Sequence, residues 1–140
     1  MNIPRDLFYS KEHEWVKIEQ DKSLLKKYDY DIDYSILTIG ITDFAQSELG
    51  DIIFIEFPDL ESKFTFGDIF GTIEAVKTVS DLYMPTYDVV VLDINDALND
   101  NPEKVNQDPY GSGWMIKVAS ISVDPFSKLM DAETYKKLIT

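Results

Sequence analysis

The chain has no cysteine and a single histidine, His13. The first absence excludes disulfides, thiolate metal sites and a cysteine nucleophile. The second argues against a metal centre or a catalytic triad, both of which need several partners of defined type and spacing, so His13 reads as structural. Basic residues are scarce: 13 Lys plus Arg stand against 26 Asp plus Glu, a formal net charge of −13. Such a surface repels nucleic acid and anionic membranes and favours partners with basic docking faces. It also keeps a protein soluble whatever its role. No apolar run approaches the roughly 18 residues of a transmembrane helix. The opening Met1-Asn2-Ile3-Pro4-Arg5-Asp6 has neither a signal-peptide core nor the character of a transit peptide. As written, the chain is expected to be a cytosolic product, or a matrix protein if it is a processed mitochondrial chain. No glycine-rich phosphate loop and no Ser–His pairing is visible. The acidic stretch Asp93, Asp96, Asp100, Glu103 and Asp108 lacks the alternation and glycine of a calcium loop. It reads as a solvated or partner-docking face.

What is present is mostly strand. The 140 residues are 44% hydrophobic and 28% charged, enough for one domain with a real core. Glu14-Trp15-Val16-Lys17-Ile18-Glu19 alternates as a half-buried strand should, and Ser35–Ile41, Asp51–Phe57, Ile69–Glu74, Tyr87–Ile94 and Trp114–Val118 are further strands. Between the first two, residues 20–34 are polar, charged and tyrosine-rich, and read as a long hairpin loop or a pair of extended strand tips, a solvated excursion. Thr42 to Gly50 reads as a short helix, capped by Thr42, with Asp43 at its positive end and Gly50 in the left-handed turn that stops it. Pro102 divides Asn95–Asp108 into two helical turns. Asp131 caps a C-terminal helix to Ile139, with Leu129, Met130, Tyr135 and Leu138 as its apolar face. Trp15 and Trp114 are expected in the core or packed on a sheet. The sum is a mainly β fold, a β-sandwich or flattened barrel with short peripheral helices and a C-terminal helix.

Lys77 stands apart from this scaffold. In Gly71-Thr72-Ile73-Glu74-Ala75-Val76-Lys77-Thr78-Val79-Ser80-Asp81-Leu82-Tyr83-Met84-Pro85 it falls between two short apolar runs, at the expected tip of a β-hairpin. A lysine held there, with no opposite charge beside it, suits covalent attachment of a swinging cofactor arm, with Glu74 and Asp81 as acidic marks on either side. On the residues alone, an ordinary surface lysine on a turn is the commoner reading.

The same segment resembles the lipoyl-attachment motif of the glycine cleavage system H-protein family. There a lysine follows Glu-x-Val and precedes x-x-Ser-Asp-x-Tyr-x-Pro; here these are Glu74, Val76, Lys77, Ser80, Asp81, Tyr83 and Pro85. Tyr9-Ser10-Lys11-Glu12-His13-Glu14-Trp15-Val16 resembles the family's opening. Gly40-Ile41-Thr42-Asp43-Phe44-Ala45-Gln46, running on through Leu49-Gly50-Asp51-Ile52, resembles its middle. Val105-Asn106-Gln107-Asp108-Pro109-Tyr110-Gly111-Ser112-Gly113-Trp114-Met115 resembles its closing signature.

The resemblance implies a lipoyl-domain-like fold, a barrel-sandwich hybrid spanning residues 1–140, and lipoate attached covalently to Lys77. Glu74, Val76, Ser80 and Asp81 would serve recognition and the hairpin. Glu14 would help hold the loaded arm in a surface cleft, the alternative being an ordinary solvated strand residue. The implied role is that of a non-catalytic carrier. Its partners would be a glycine decarboxylase (P protein), an aminomethyltransferase (T protein), a dihydrolipoyl dehydrogenase (L protein) and a lipoate ligase or octanoyl/lipoyl transferase. The chain is expected to be a monomer.

A lipoyl relay to 2-oxoacid dehydrogenases is the alternative role. A biotinyl carrier would have methionines on both sides of the lysine, where Val76 and Thr78 stand here; a binding module that is never modified is the fourth reading. Three features depart from the family: an insertion at about 20–35, expected to lie away from the arm; Asp88 in place of a usual glycine, which fits if an aspartate can take a positive φ there; and Phe44 where some members carry histidine.

Overall fold

The computed structural model describes residues 1–140. Nine strands form two antiparallel sheets. In chain order they are β1 (Phe8–Tyr9), β2 (Glu14–Glu19), β3 (Ser35–Ile41), β4 (Ile52–Glu56), β5 (Lys63–Phe64), β6 (Ile69–Ala75), β7 (Val79–Tyr83), β8 (Val89–Ile94) and β9 (Ile116–Ser120). The larger sheet has the order β1-β2-β3-β9-β8-β5, the smaller β4-β6-β7. The two stay separate, so of the two architectures expected it is the sandwich that stands, not a closed barrel.

Period-two alternation decides which face of each strand meets the other sheet. Val16, Leu37, Ile39, Val91, Ile116 and Val118 face inward from the large sheet, and Ile55, Ile73 and Leu82 from the small one, all buried in a single apolar cluster. The large sheet is also covered on its other face. Tyr9 and Trp15 pack there with Tyr135 of α5 (Ala132–Ile139). Gly40 permits that packing: a methyl group on it would lie 2.7 Å from the Trp15 indole. The indole donates to the Pro109 carbonyl at 3.0 Å. Trp114 is half-buried at the edge of the same cluster. The strand after it begins at Ile116, two residues later than its apolar pattern suggests.

The connection at 20–34 corrects the sequence reading. It is not a solvated excursion. It folds into α1 (Ser23–Lys27), whose Leu25 is fully buried against Ile36, Val90, Leu92 and Ala119 on the outer face of the large sheet. Leu24, Tyr28, Tyr30 and Tyr34 flank that contact. Alternation places Ile36, Val90 and Leu92 on the face away from the main core, where they need a cover.

The remaining helices follow their local signals. α2 (Asp43–Leu49) is capped by Thr42, whose side chain accepts from the Ala45 amide at 3.1 Å. Gly50 ends it at φ 79°. α3 (Ala97–Asp100) and α4 (Lys104–Gln107) lie on either side of Pro102. Asp131 caps α5 by accepting from the Thr134 amide at 2.8 Å. On α5, Tyr135 is buried as expected, but Leu138 is half exposed and Ile139 takes its place against the core. An 8-residue helix with so narrow an apolar stripe buries only the residues directly over Tyr9 and Trp15. Asp88 adopts φ 50°, the left-handed turn required of it.

Candidate functional site

β6 and β7 run antiparallel from Ile69↔Tyr83 to Glu74↔Val79, and Val76, Lys77 and Thr78 turn the chain between them. The Ala75 amide donates to the Thr78 carbonyl at 2.8 Å, closing the turn. The Val76 amide donates to the Asp51 carbonyl at 3.0 Å, tying the turn to the residue that precedes β4. All three turn residues are exposed, Val76 at 73%. Lys77 forms no ion pair; the one in the protein joins Lys117 to Glu19 at 3.5 Å. A methyl group on Gly50 would come within 3.5 Å of Lys77 Cε and 3.9 Å of Nζ, so the lysine stem crosses over Gly50. The expected geometry, an unpaired amine on a fixed backbone, is present.

Strand parity separates the other residues of the motif. Ser80 pairs with buried Ile73 and points inward, whereas Glu74 pairs with exposed Val79, and Asp81 is exposed opposite Thr72. Beside β7, between it and α2, runs a groove of about 330 Å³ whose lining includes Glu12, Glu14, Phe44, Glu48, Ser80 and Asp81. Ser80, Asp81 and Glu14 are therefore brought together, while Glu74 and Val76 lie outside the groove.

Glu14 is not the solvated strand residue of the alternative reading: only 2% of it is exposed. The reason lies in the turn before it. His13 takes φ 72°, the Ser10 amide donates to the Glu14 carbonyl at 2.9 Å, and β2 starts with Glu14 on the inward side that it shares with Val16. Its carboxylate accepts from the Ser10 hydroxyl at 2.6 Å and, at a long 3.5 Å, from the Tyr83 amide of β7. Burial pushes its pKa up to about 7, against the lowering effect of those hydrogen bonds. A second cavity of about 480 Å³ reaches Glu14 as well and is lined in part by Lys11, Phe66, Tyr83 and Lys128.

His13 has the structural role expected of it. Its Nδ1 lies 2.8 Å from the Tyr135 hydroxyl, which is also 2.8 Å from Thr42 Oγ1, so one hydroxyl joins α5, the cap of α2 and the turn before Glu14. Its ring tilts over Phe44 at 4.9 Å. Burial lowers its pKa, against the raising effect of Glu12 and Glu48.

Sequence reasoning missed Glu12 and Glu48, which lie on the groove with Glu14. The signal for Glu14's burial was available, because it shares parity with Val16 and Ile18, the apolar side of β2. No comparable signal marks Glu48, which the tertiary structure alone brings opposite β7.

The family model described as glycine cleavage H-protein matches residues 7–140. The chain belongs to the glycine cleavage H-protein family. It is 46% identical over 139 residues to the glycine cleavage system H protein of Geobacillus sp. (strain WCH70), covering 99% of this chain and 98% of that protein. It is 43% identical to the H protein of Bacteroides thetaiotaomicron, with the same coverage. The crystal structure of a glycine cleavage system H protein from Mycobacterium marinum superposes with a TM-score of 0.80 at 31% identity, over 96% of this chain and 97% of that one. The lipoyl-domain-like fold of the family is the two-sheet sandwich described above. Membership implies a lipoyl carrier role in glycine cleavage. No helix is long and apolar enough to cross a membrane.

Proposed function

We propose that Lys77 carries a lipoyl group in amide linkage and that the protein shuttles the aminomethyl group of glycine from the P protein to the T protein, then electrons to the L protein. The observation that supports this most is an exposed, unpaired amine on a braced turn whose return strand contributes Ser80 and Asp81 to an acidic groove also lined by buried Glu14. Acylation would replace the lysine charge by a neutral amide. The arm's sulfur supplies the transferable-group and redox chemistry; this chain supplies attachment, orientation and shelter. Gly50 leaves the lysine stem a path with no side chain in the way. Glu74 and Asp81, on opposite strands of the hairpin, would mark it for a lipoate ligase or octanoyl/lipoyl transferase.

Glu14 would face the cationic amine of a loaded arm, with Asp81 at the groove wall. A carboxyl whose pKa burial has raised to about 7 is drawn into its ionised form when a cation arrives beside it, since an opposite charge within a few ångströms favours ionisation. Tethering on Lys77 keeps the arm at high effective concentration beside each docked partner.

Intact mass of protein from a lipoylation-competent host tests the proposal. One lipoyl adduct is expected, absent in Lys77→Arg; an unmodified wild-type mass beside an active ligase would sink it. Glycine–bicarbonate exchange with purified P protein separates the shuttle from a lipoyl relay: stimulation by the lipoylated protein supports the shuttle.

A further inference from the structure

The turn that presents Lys77 is tied to the rest of the protein through Asp51, and the residues on either side of Asp51 are held by one side chain. Asn106, on α4, donates from Nδ2 to the Gly50 carbonyl at 2.9 Å and to Gln46 Oε1 at 3.0 Å. Its Oδ1 accepts from the Ile52 amide at 3.0 Å. Asp51 thus stands between two backbone groups fixed by the same amide, and its own carbonyl accepts from the Val76 amide at 3.0 Å. Asn106 also sets the chain at Gly50, the residue over which the Lys77 stem passes.

Only an amide of this length meets the geometry. The bracket needs a donor toward the last carbonyl of the α2 region and an acceptor toward the first amide of β4. Aspartate lacks the donor, and the flipped amide would set oxygen against a carbonyl. The base that carries Asn106 is rigid, because its neighbour Val105 is fully buried in the main core. Gly113 lets the chain close over α4: a methyl group on it would lie 2.7 to 2.9 Å from atoms of Asp108, Lys104 and Val105.

We propose that Asn106 is a positioning residue for Lys77: it fixes residues 50–52 and, through the Asp51 carbonyl, the place and rigidity of the turn that offers the amine. Asn106 never touches the arm. The inference rests on the reading of Lys77 as the lipoyl site, and its test has one readout independent of that reading.

The test uses full-length protein in four forms: wild type, Asn106→Ala, Asn106→Asp, and Gln107→Ala as a neighbour on α4 outside the bracket. Native-state hydrogen exchange reads the Val76 amide against β3 amides in the main sheet. Acylation of Lys77 by a purified lipoate ligase is followed as kcat/KM. Asn106→Ala is expected to speed Val76 exchange at least about tenfold while β3 amides keep their rates. Its kcat/KM should fall about tenfold or more, because a small displacement of a reacting group costs rate steeply. Asn106→Asp, which keeps the acceptor for Ile52, should move both in the same direction by less and decides the matter if the alanine variant does not fold. Gln107→Ala should match wild type. Unchanged Val76 exchange overturns the proposal. So does an equal increase at every amide, which would mark Asn106 as merely structural, and so does faster Val76 exchange with wild-type acylation. If wild type itself is never acylated, the lipoyl reading fails, and the exchange data still decide whether Asn106 braces the turn.

Discussion

The connection at 76–78 and the connection at 20–34 both join antiparallel neighbours, β6 to β7 and β2 to β3. Both look exposed in the sequence, since the short one centres on Lys77 between two strands and the long one is rich in charged residues, Lys22, Lys26 and Lys27 among them. They end in opposite states. The short one cannot reach back over its own sheet, so Val76, Lys77 and Thr78 stay in solvent. The long one has enough chain to fold over, and the face beside it has Ile36, Val90 and Leu92 to hide. It forms a helix and inserts Leu25. A polar composition therefore predicts exposure only where the chain is too short to do otherwise. A third connection, the turn at 10–13, lies between these cases. Lys11 and Glu12 remain in solvent while the backbone, through a positive φ at His13, aims the next side chain inward.

Five variants break or sharpen that comparison. Leu25→Ala should have the largest effect, a loss of about 2–5 kcal/mol in urea unfolding, the range for a buried leucine. Shortening the 20–34 connection should likewise lower the melting temperature yet leave acylation of Lys77 intact. A truly solvated loop would leave stability unchanged, and a lipoylation defect would place the connection near the arm.

Glu14→Gln comes next and has a pH signature. Burial pushes the native carboxyl up to about 7 from an ordinary 4.5, so between these pH values the folded state binds more protons than the unfolded one. Stability contributed by this group therefore falls as pH rises through that window. The glutamine variant should gain about 2 kcal/mol relative to wild type between pH 5.5 and pH 8. Parallel stability curves for the two proteins would mean that Glu14 is not buried as described.

Gly50→Ala should cost about 1 kcal/mol, because φ 79° strains any residue with a Cβ. Acylation should be little changed, because the added methyl group would meet the lysine stem only at ordinary van der Waals distance. Smallest of all, Lys77→Arg should change stability by less than about 0.5 kcal/mol, as expected for an exposed residue with no ion pair. A large loss would show that Lys77 supports the fold.

Much of the architecture was legible because it is written locally. Thr42, Asp131 and Pro102 mark helix boundaries through their own side chains, and each boundary falls where those residues place it. Asp88 is similar, since a backbone turn asks something of that residue alone. Leu138 failed because helical periodicity shows that a face exists, not how wide the surface beneath it is. α1 failed because its stability comes from a partner sheet distant in sequence, and a five-residue helix has no propensity signal strong enough to declare itself.

The site divides along the same line. The motif around Lys77 needed only its own residues and the pairing of two adjacent strands, so the sequence by itself determined that an amine would stand on a hairpin tip. Whether a groove lay beside it was decided by tertiary structure. The large sheet carries Glu14, α2 carries Phe44 and Glu48, and the small sheet carries Ser80 and Asp81; only their packing creates a cavity that takes Glu14 out of water and raises its pKa. The physical reason is range. A turn is settled by steric and hydrogen-bonding demands within a few residues, whereas desolvation depends on every atom that packs around a group, wherever in the chain it originates.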